Sequence, residues 1–156
     1  MPATTSAIEA FAPADRTLPV MLAHQCRRFA QRTLLVAGDT RWSYADTLRT
    51  AQAMGAVLRA AGLRTGDRVA LMCGNRAEFL QAFLGCAWIG AVTVPINTAA
   101  RGATLRHILA NSGARLFVAE AEGLAALQGL EARASLPLER VWGIDAPPQP
   151  GTEPFP

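Results

Sequence analysis

Apolar positions along this chain fall into short blocks whose period switches between helical and strand-like spacing. Residues 1–16 hold small residues and two Pro with no clear period, and read as a loose leader. Over residues 18–32 the spacing turns helical, with Leu18, Met21, Leu22, Cys26 and Phe29 on one face. The runs "TLLVA" (33–37) and "TRWSY" (40–44) flank Gly38-Asp39 and predict a β-hairpin. Ser43 is placed to cap the following helix, with Asp46 three residues on as a variant capping box. That helix carries Leu48, Ala51, Val57 and Leu58 on one side and stops near Gly62, a residue suited to the left-handed cap position.

From Asp67 onward the pattern becomes a regular alternation. Gly66-Asp67 makes a turn into a strand at 69–72, which is almost wholly apolar and so predicted to be covered on both faces. Asn75 is the expected cap of the next helix. A strand at 91–95, a helix at 103–111, a strand at 115–119 and a helix over about 122–134 follow, and "RVWGID" reads as a last strand. This order predicts an α/β fold: a doubly wound, mostly parallel sheet with flanking helices, preceded by a helix and a β-hairpin. Residues 17–145 form the α/β unit. The tail 146–156 has five Pro and one Gly in eleven residues and reads as a linker or disordered end.

Composition narrows the function classes. The 156 residues are 51% apolar and 17% charged, which suits one globular domain with a core. The uncharged run at 79–96 approaches the length of a membrane span. Gln81, Gly85, Gly90 and Pro95 interrupt it, and its second half is rich in Val and Thr, so a buried helix and then a buried strand are expected. A membrane partner is not expected, and no basic stripe with interleaved aromatics points to nucleic acid. All 15 basic residues are Arg, so no mechanism that needs a lysine can run on these residues alone. Cys26, Cys73 and Cys86 lack metal-ligand spacing and are expected as free thiols. With no basic-then-apolar leader, a cytoplasmic location is the expectation.

Candidate chemistry concentrates in loops at the strand C-terminal ends, where open α/β sheets bind ligands. In the loop 96–104, Arg101 has the reach to hold a phosphate or carboxylate bidentately, or else lies solvated at a helix start. Asn97 is expected to brace the turn after Pro95. The turn "CGNR" (73–76) has one Gly and is no dinucleotide fingerprint. His24 and His107 sit in helical patterns without a partnering nucleophile, and Trp42, Trp88 and Trp142 read as packing residues. No catalytic constellation and no metal site emerge.

The order of several short motifs adds what single residues do not. "WSYADTLRTA" (42–51), "GLRTGDRVALMCGNRAEFLQAFLG" (62–85), "WIGAVTVPIN" (88–97) and "LRHILANSGARLFVAE" (105–120) together resemble the N-terminal part of AMP-forming acyl-CoA synthetases, in the adenylate-forming superfamily. The resemblance covers roughly residues 18–145. The wording of residues 88–97 leans toward the carnitine- and crotonobetaine-type CoA ligases. The resemblance implies a two-step reaction. A carboxylate attacks the α-phosphate of ATP, with Mg²⁺ neutralising charge, and the CoA thiol then displaces AMP. The family's phosphate loop closed by Pro-Lys-Gly, its acidic nucleotide and Mg²⁺ motifs and its C-terminal lysine are not among these residues. The chain is therefore expected to be an N-terminal fragment or truncated product, inactive alone, and to expose an apolar face to the remainder of the ligase or to a second copy. After Asn97, Thr98-Ala99 stands where the family commonly has Pro and a polar or basic residue, which leaves Arg101 as the residue for a CoA or phosphate contact. Two other classes remain open: a stand-alone, non-catalytic α/β binding or dimerisation module, and a small nucleotide-binding domain.

Overall fold

The computed structural model describes residues 11–131 and 133–156; most of the leader read at 1–16 lies outside the described residues. Helix α1 (Leu18–Phe29) leads into a two-stranded antiparallel hairpin, β1 (Thr33–Ala37) and β2 (Thr40–Ser43). Gly38 makes the tight turn possible with φ +57, a conformation that a Cβ disfavours. The pairing alternates faces: Leu35 opposite Trp42 is half-buried, whereas Val36 opposite Arg41 points to solvent.

Helix α2 (Tyr44–Ala60) starts with the expected capping box. The Asp46 amide donates to Ser43 Oγ at 3.1 Å, and the Ser43 amide donates to the Asp46 carboxylate at 2.9 Å. Then come β3 (Arg68–Met72), α3 (Ala77–Ile89), β4 (Val92–Pro95), α4 (Gly102–Ser112), β5 (Leu116–Ala119), α5 (Ala121–Gln128), β6 (Arg140–Gly143) and β7 (Glu153–Pro154). Strands β3 to β7 form one parallel sheet in the order β4-β3-β5-β6-β7.

Alternation along the central strands builds two cores. Val69, Leu71, Leu116, Val118 and Trp142 face α2 and α3 with Met54, Leu58, Cys86 and Ile89. Ala70, Met72, Phe117, Ala119 and Val141 face α4 and α5 with Leu105, Leu109, Leu124 and Leu127. The α2–α3 crossing is close enough that a Cβ on Gly85 would lie 2.3 Å from Met54 Cγ, so only glycine fits there.

Three local expectations are corrected. Asn75 does not cap α3: Arg76 holds the N-cap position, with no side-chain cap bond, and the helix begins one residue later. The helix expected over 122–134 stops at Gln128, because Gly129 is a poor helix former and Leu130 turns into the core; a 3₁₀ turn, Arg133–Ser135, follows. The tail read as a linker or disordered end carries β7. Its Pro154 sits at a sheet edge, where a missing N–H costs no ladder bond. Phe155 donates its amide to Gly143 O at 2.9 Å and packs edge-on against Trp142, and Glu153 pairs with Arg140 at 2.8 Å. The apolar run at 79–96 resolves into α3 and β4, and among the described residues no helix is long and apolar enough to cross a membrane. Large apolar side chains stay exposed at Leu34, Val36, Phe83 and Val92.

Candidate functional site

The strand order places a topological switch between β3 and β5. The chain leaves β3 through α3 to reach β4 on one side, then returns through α4 to β5 on the other. Parallel sheets open a crevice at such a point, beyond the strand C-termini. Here it is a cleft of about 320 Å³ lined by Met72 at the end of β3 and Gly74 just beyond it, Thr98 from the β4–α4 loop, and Glu120, Glu122 and Gly123 around the start of α5.

One guanidinium organises this end of the sheet. Arg76 Nε and Nη2 donate to Glu78 at 2.7 and 3.0 Å, and Nη1 donates to Glu120 at 2.7 Å. Nη2 also pairs with Asp145 beyond β6. The other oxygen of Glu120 accepts the Gly74 amide at 2.8 Å. The segments after β3, β5 and β6 are thus joined by one Arg. The Gly74 amide bond, then the Arg76 bond and charge, hold the Glu120 carboxyl below its ordinary value. The Arg76 hydrogen bonds do the same for Glu78. Bonds to Glu78, Asp145 and Glu120 raise Arg76. Burial, and secondarily the Glu120 charge, push the Cys73 thiol up to about 11, so it is no ready nucleophile at neutral pH.

The side chains singled out from the sequence assemble no reactive group: Arg101 and Asn97 lie in the loop that gives the cleft Thr98, and His24, His107 and the three Trp do not line it. Arg101 stands at the N-cap of α4, at the cleft's mouth. Its guanidinium donates to the carbonyls of Thr98 and Ala100 and pairs with Glu122 at 3.6 Å. Asn97 braces the turn as expected, its side-chain oxygen accepting the Ala99 amide at 2.8 Å. His107 is exposed on α4. His24 lies on α1, edge-on to Phe11 at 5.0 Å. Trp142 is buried and Trp42 and Trp88 half-buried. Sequence reasoning reached the turn 73–76 but missed Arg76 itself, with Glu78, Glu120 and Asp145. Acidic residues just beyond two of the parallel strands were the available signal.

The same architecture occurs in known proteins. The AMP-binding enzyme family model matches residues 22–154. The chain belongs to the AMP-binding enzyme family. FadD13, a long-chain-fatty-acid–CoA ligase of Mycobacterium tuberculosis (strain CDC 1551 / Oshkosh), is 37% identical over 99 residues, 64% of this chain and 20% of the relative. A feruloyl-CoA synthase from Amycolatopsis sp is 37% identical over 106 residues, 66% of this chain and 22% of the relative. The crystal structure of the N-terminal domain of FACL13 from Mycobacterium tuberculosis superposes with a TM-score of 0.77 at 31% identity, covering 84% of this chain and 34% of that one. The chain spans about a fifth of the length of the curated relatives it matches. Its fold is that of the N-terminal part of such enzymes.

The family is named for AMP binding and the relatives above for CoA chemistry, so nucleotide and CoA phosphates are the ligands to weigh against this cleft. The residues lining this cleft do not fit these phosphates. Glu120 and Glu122 line the cleft, Glu78 and Asp145 stand behind it, and both nearby guanidinium groups are committed to protein oxygens.

Proposed function

We propose that this chain supplies the N-terminal α/β scaffold of an ATP-dependent, AMP-forming acyl-CoA ligase, which converts a carboxylate, ATP and CoA to acyl-CoA, AMP and pyrophosphate with Mg²⁺. The family match across residues 22–154 carries this reading. In this reading the reactive groups come from sequence beyond these 156 residues, which contain no lysine and whose cleft arginines are already paired. The partner we propose is the remainder of such a ligase, seated against the exposed apolar side chains, and a self-associating copy takes its place when the remainder is absent. Arg101 is the residue we assign to any CoA contact, once Glu122 is drawn away from it. The wording of residues 88–97 favours the carnitine and crotonobetaine branch as the finer class, and the cytoplasm is the compartment this reading assigns.

Two measurements test it. The 156-residue chain is expected to show no ATP–pyrophosphate exchange that depends on a carboxylic acid; exchange above the acid-free blank overturns the inactive-scaffold reading. A chimera in which residues 22–154 replace the matching segment of FadD13 is expected to make acyl-CoA. A folded chimera without activity favours the stand-alone module.

A further inference from the structure

The switch-point crevice holds the kinds of donor that capture an oxyanion: a backbone amide after a strand and a guanidinium beside it. Both already hold one. Glu120 spans them, with Oε2 at 2.8 Å from the Gly74 nitrogen and Oε1 at 2.7 Å from Arg76 Nη1. The carboxylate comes from the far side of the switch point, 44 to 46 residues along the chain, so the contact belongs to the tertiary fold and not to a local turn.

We infer that the Gly74 amide and the Arg76 guanidinium form an oxyanion seat that the chain fills with its own Glu120 carboxylate, which closes this crevice to nucleotide and CoA phosphates. Only the identity of the excluded ligands rests on the ligase reading. A phosphate entering the seat must displace Glu120 and then face Glu78 and Asp145, which hold the rest of Arg76. It also meets Glu122 on the cleft's other wall. Arg101, the other cation at the mouth, offers no relief, because it is turned to its own loop carbonyls and to Glu122. The phosphates that the family handles must then be held outside this seat, elsewhere in the enzyme or, for CoA, at Arg101 once Glu122 is drawn away, and the seat itself acts as a strut.

The Gly74 amide reports directly on the seat and can be read by nitrogen-15 NMR on the full 156-residue chain. At neutral pH, millimolar pyrophosphate, ATP or CoA is expected to leave the Gly74 resonance where an equal ionic strength of NaCl leaves it. Movement with any of the three in the wild-type chain overturns the closure. Acidification is expected to move the Gly74 amide in one step, with the same midpoint as the Glu120 carboxyl carbon. The titratable and charged groups around Glu120 are Arg76 and Glu78 at the start of α3, Cys73 at the end of β3, Asp145 after β6 and Glu122 on α5. Glu120→Gln should abolish that step. A step that persists in Glu120→Gln, or a wild-type midpoint that differs from that of the Glu120 carboxyl, overturns the assignment of the occupant. An inactive chimera with a silent Gly74 resonance would instead count against the ligase reading alone.

Discussion

Arg76 gathers three carboxylates that belong to three different segments, and three-quarters of its side chain is shielded from water. Replacing it by Met keeps the aliphatic stem and leaves Glu78 and Glu120 beside each other without a counter-charge. Hydrogen bonds to charged groups contribute about 1.5–3 kcal/mol each before compensation, and Arg76→Met is expected to lose about 1–3 kcal/mol of stability at neutral pH. Protonation of the abandoned carboxyls relieves the repulsion, so the deficit should shrink in acid. Urea denaturation of both proteins at neutral pH and near pH 4 measures this, and an equal deficit at the two pH values would point to lost packing instead of lost charge. At the other extreme of sequence separation stands Ser43. Removing its hydroxyl in Ser43→Ala leaves the Asp46 amide unpaired and should cost about 1 kcal/mol, seen as a lower urea midpoint with an unchanged slope. The Ser43–Asp46 pair was legible in the sequence because its partners lie three residues apart. The Arg76 cluster was not, because two of its partners, Glu120 and Asp145, lie 44 and 69 residues away and meet it only once the sheet has formed.

Elements follow the same division between local and distant causes. Both hairpin strands, most of each helix and the central strands were readable from period, apolar runs and caps within one segment, although the last helix ends at Gln128 and not at 134. The short β7 was hidden because Pro-rich composition signals a linker, while its order comes from Phe155 against Trp142 and Glu153 against Arg140. The α2–α3 contact was hidden for a related reason. A glycine inside a helix is locally unfavourable, and only the approach of another helix explains it. Gly85 faces Met54, and Gly55 faces Trp88, with an added Cβ on Gly55 lying 2.9 Å from the Trp88 ring. Gly85→Ala gains helix propensity but must push Met54 and its backbone away. Overpacking of this kind costs about 1–3 kcal/mol, more than the roughly 1 kcal/mol of propensity gained, so the variant should be destabilised. Thermal unfolding followed by circular dichroism decides it, and a Gly85→Ala protein that melts higher than wild type would show that the helices separate freely.

For the whole molecule, the parallel sheet is clamped by arginine at both ends. Beyond the strand C-termini Arg76 holds Glu78, Glu120 and Asp145. At the N-terminal ends Arg115 holds Asp67 before β3 and Glu139 before β6, bonding the latter at 2.6 and 2.7 Å. Burial alone would raise the Asp67 carboxyl, but the Arg64 amide and the Arg115 charge outweigh it and draw it down. Bonds from Arg115 lower Glu139 in the same way. Asp67, Glu78, Glu120 and Glu139 therefore all release their protons more readily in the folded chain than in the unfolded one. Between the depressed folded values and the ordinary values of 3.8 for Asp and 4.5 for Glu, the unfolded state binds more protons, so stability rises with pH in that window. The contribution is complete above the ordinary carboxylate values and is lost as pH falls through the depressed ones. The 15 Arg side chains stay charged throughout this range, so every carboxylate that is protonated adds to the net positive charge. The melting temperature is expected to be flat from neutral pH down to about pH 5 and to fall steeply below about pH 4. High salt should weaken the pairs whose carboxylates are more than half exposed, Arg115 with Glu139 and Arg76 with Asp145, more than the shielded Arg115–Asp67 pair. A melting temperature that stays level down to about pH 3 would show that the two arginine clamps do not hold the sheet.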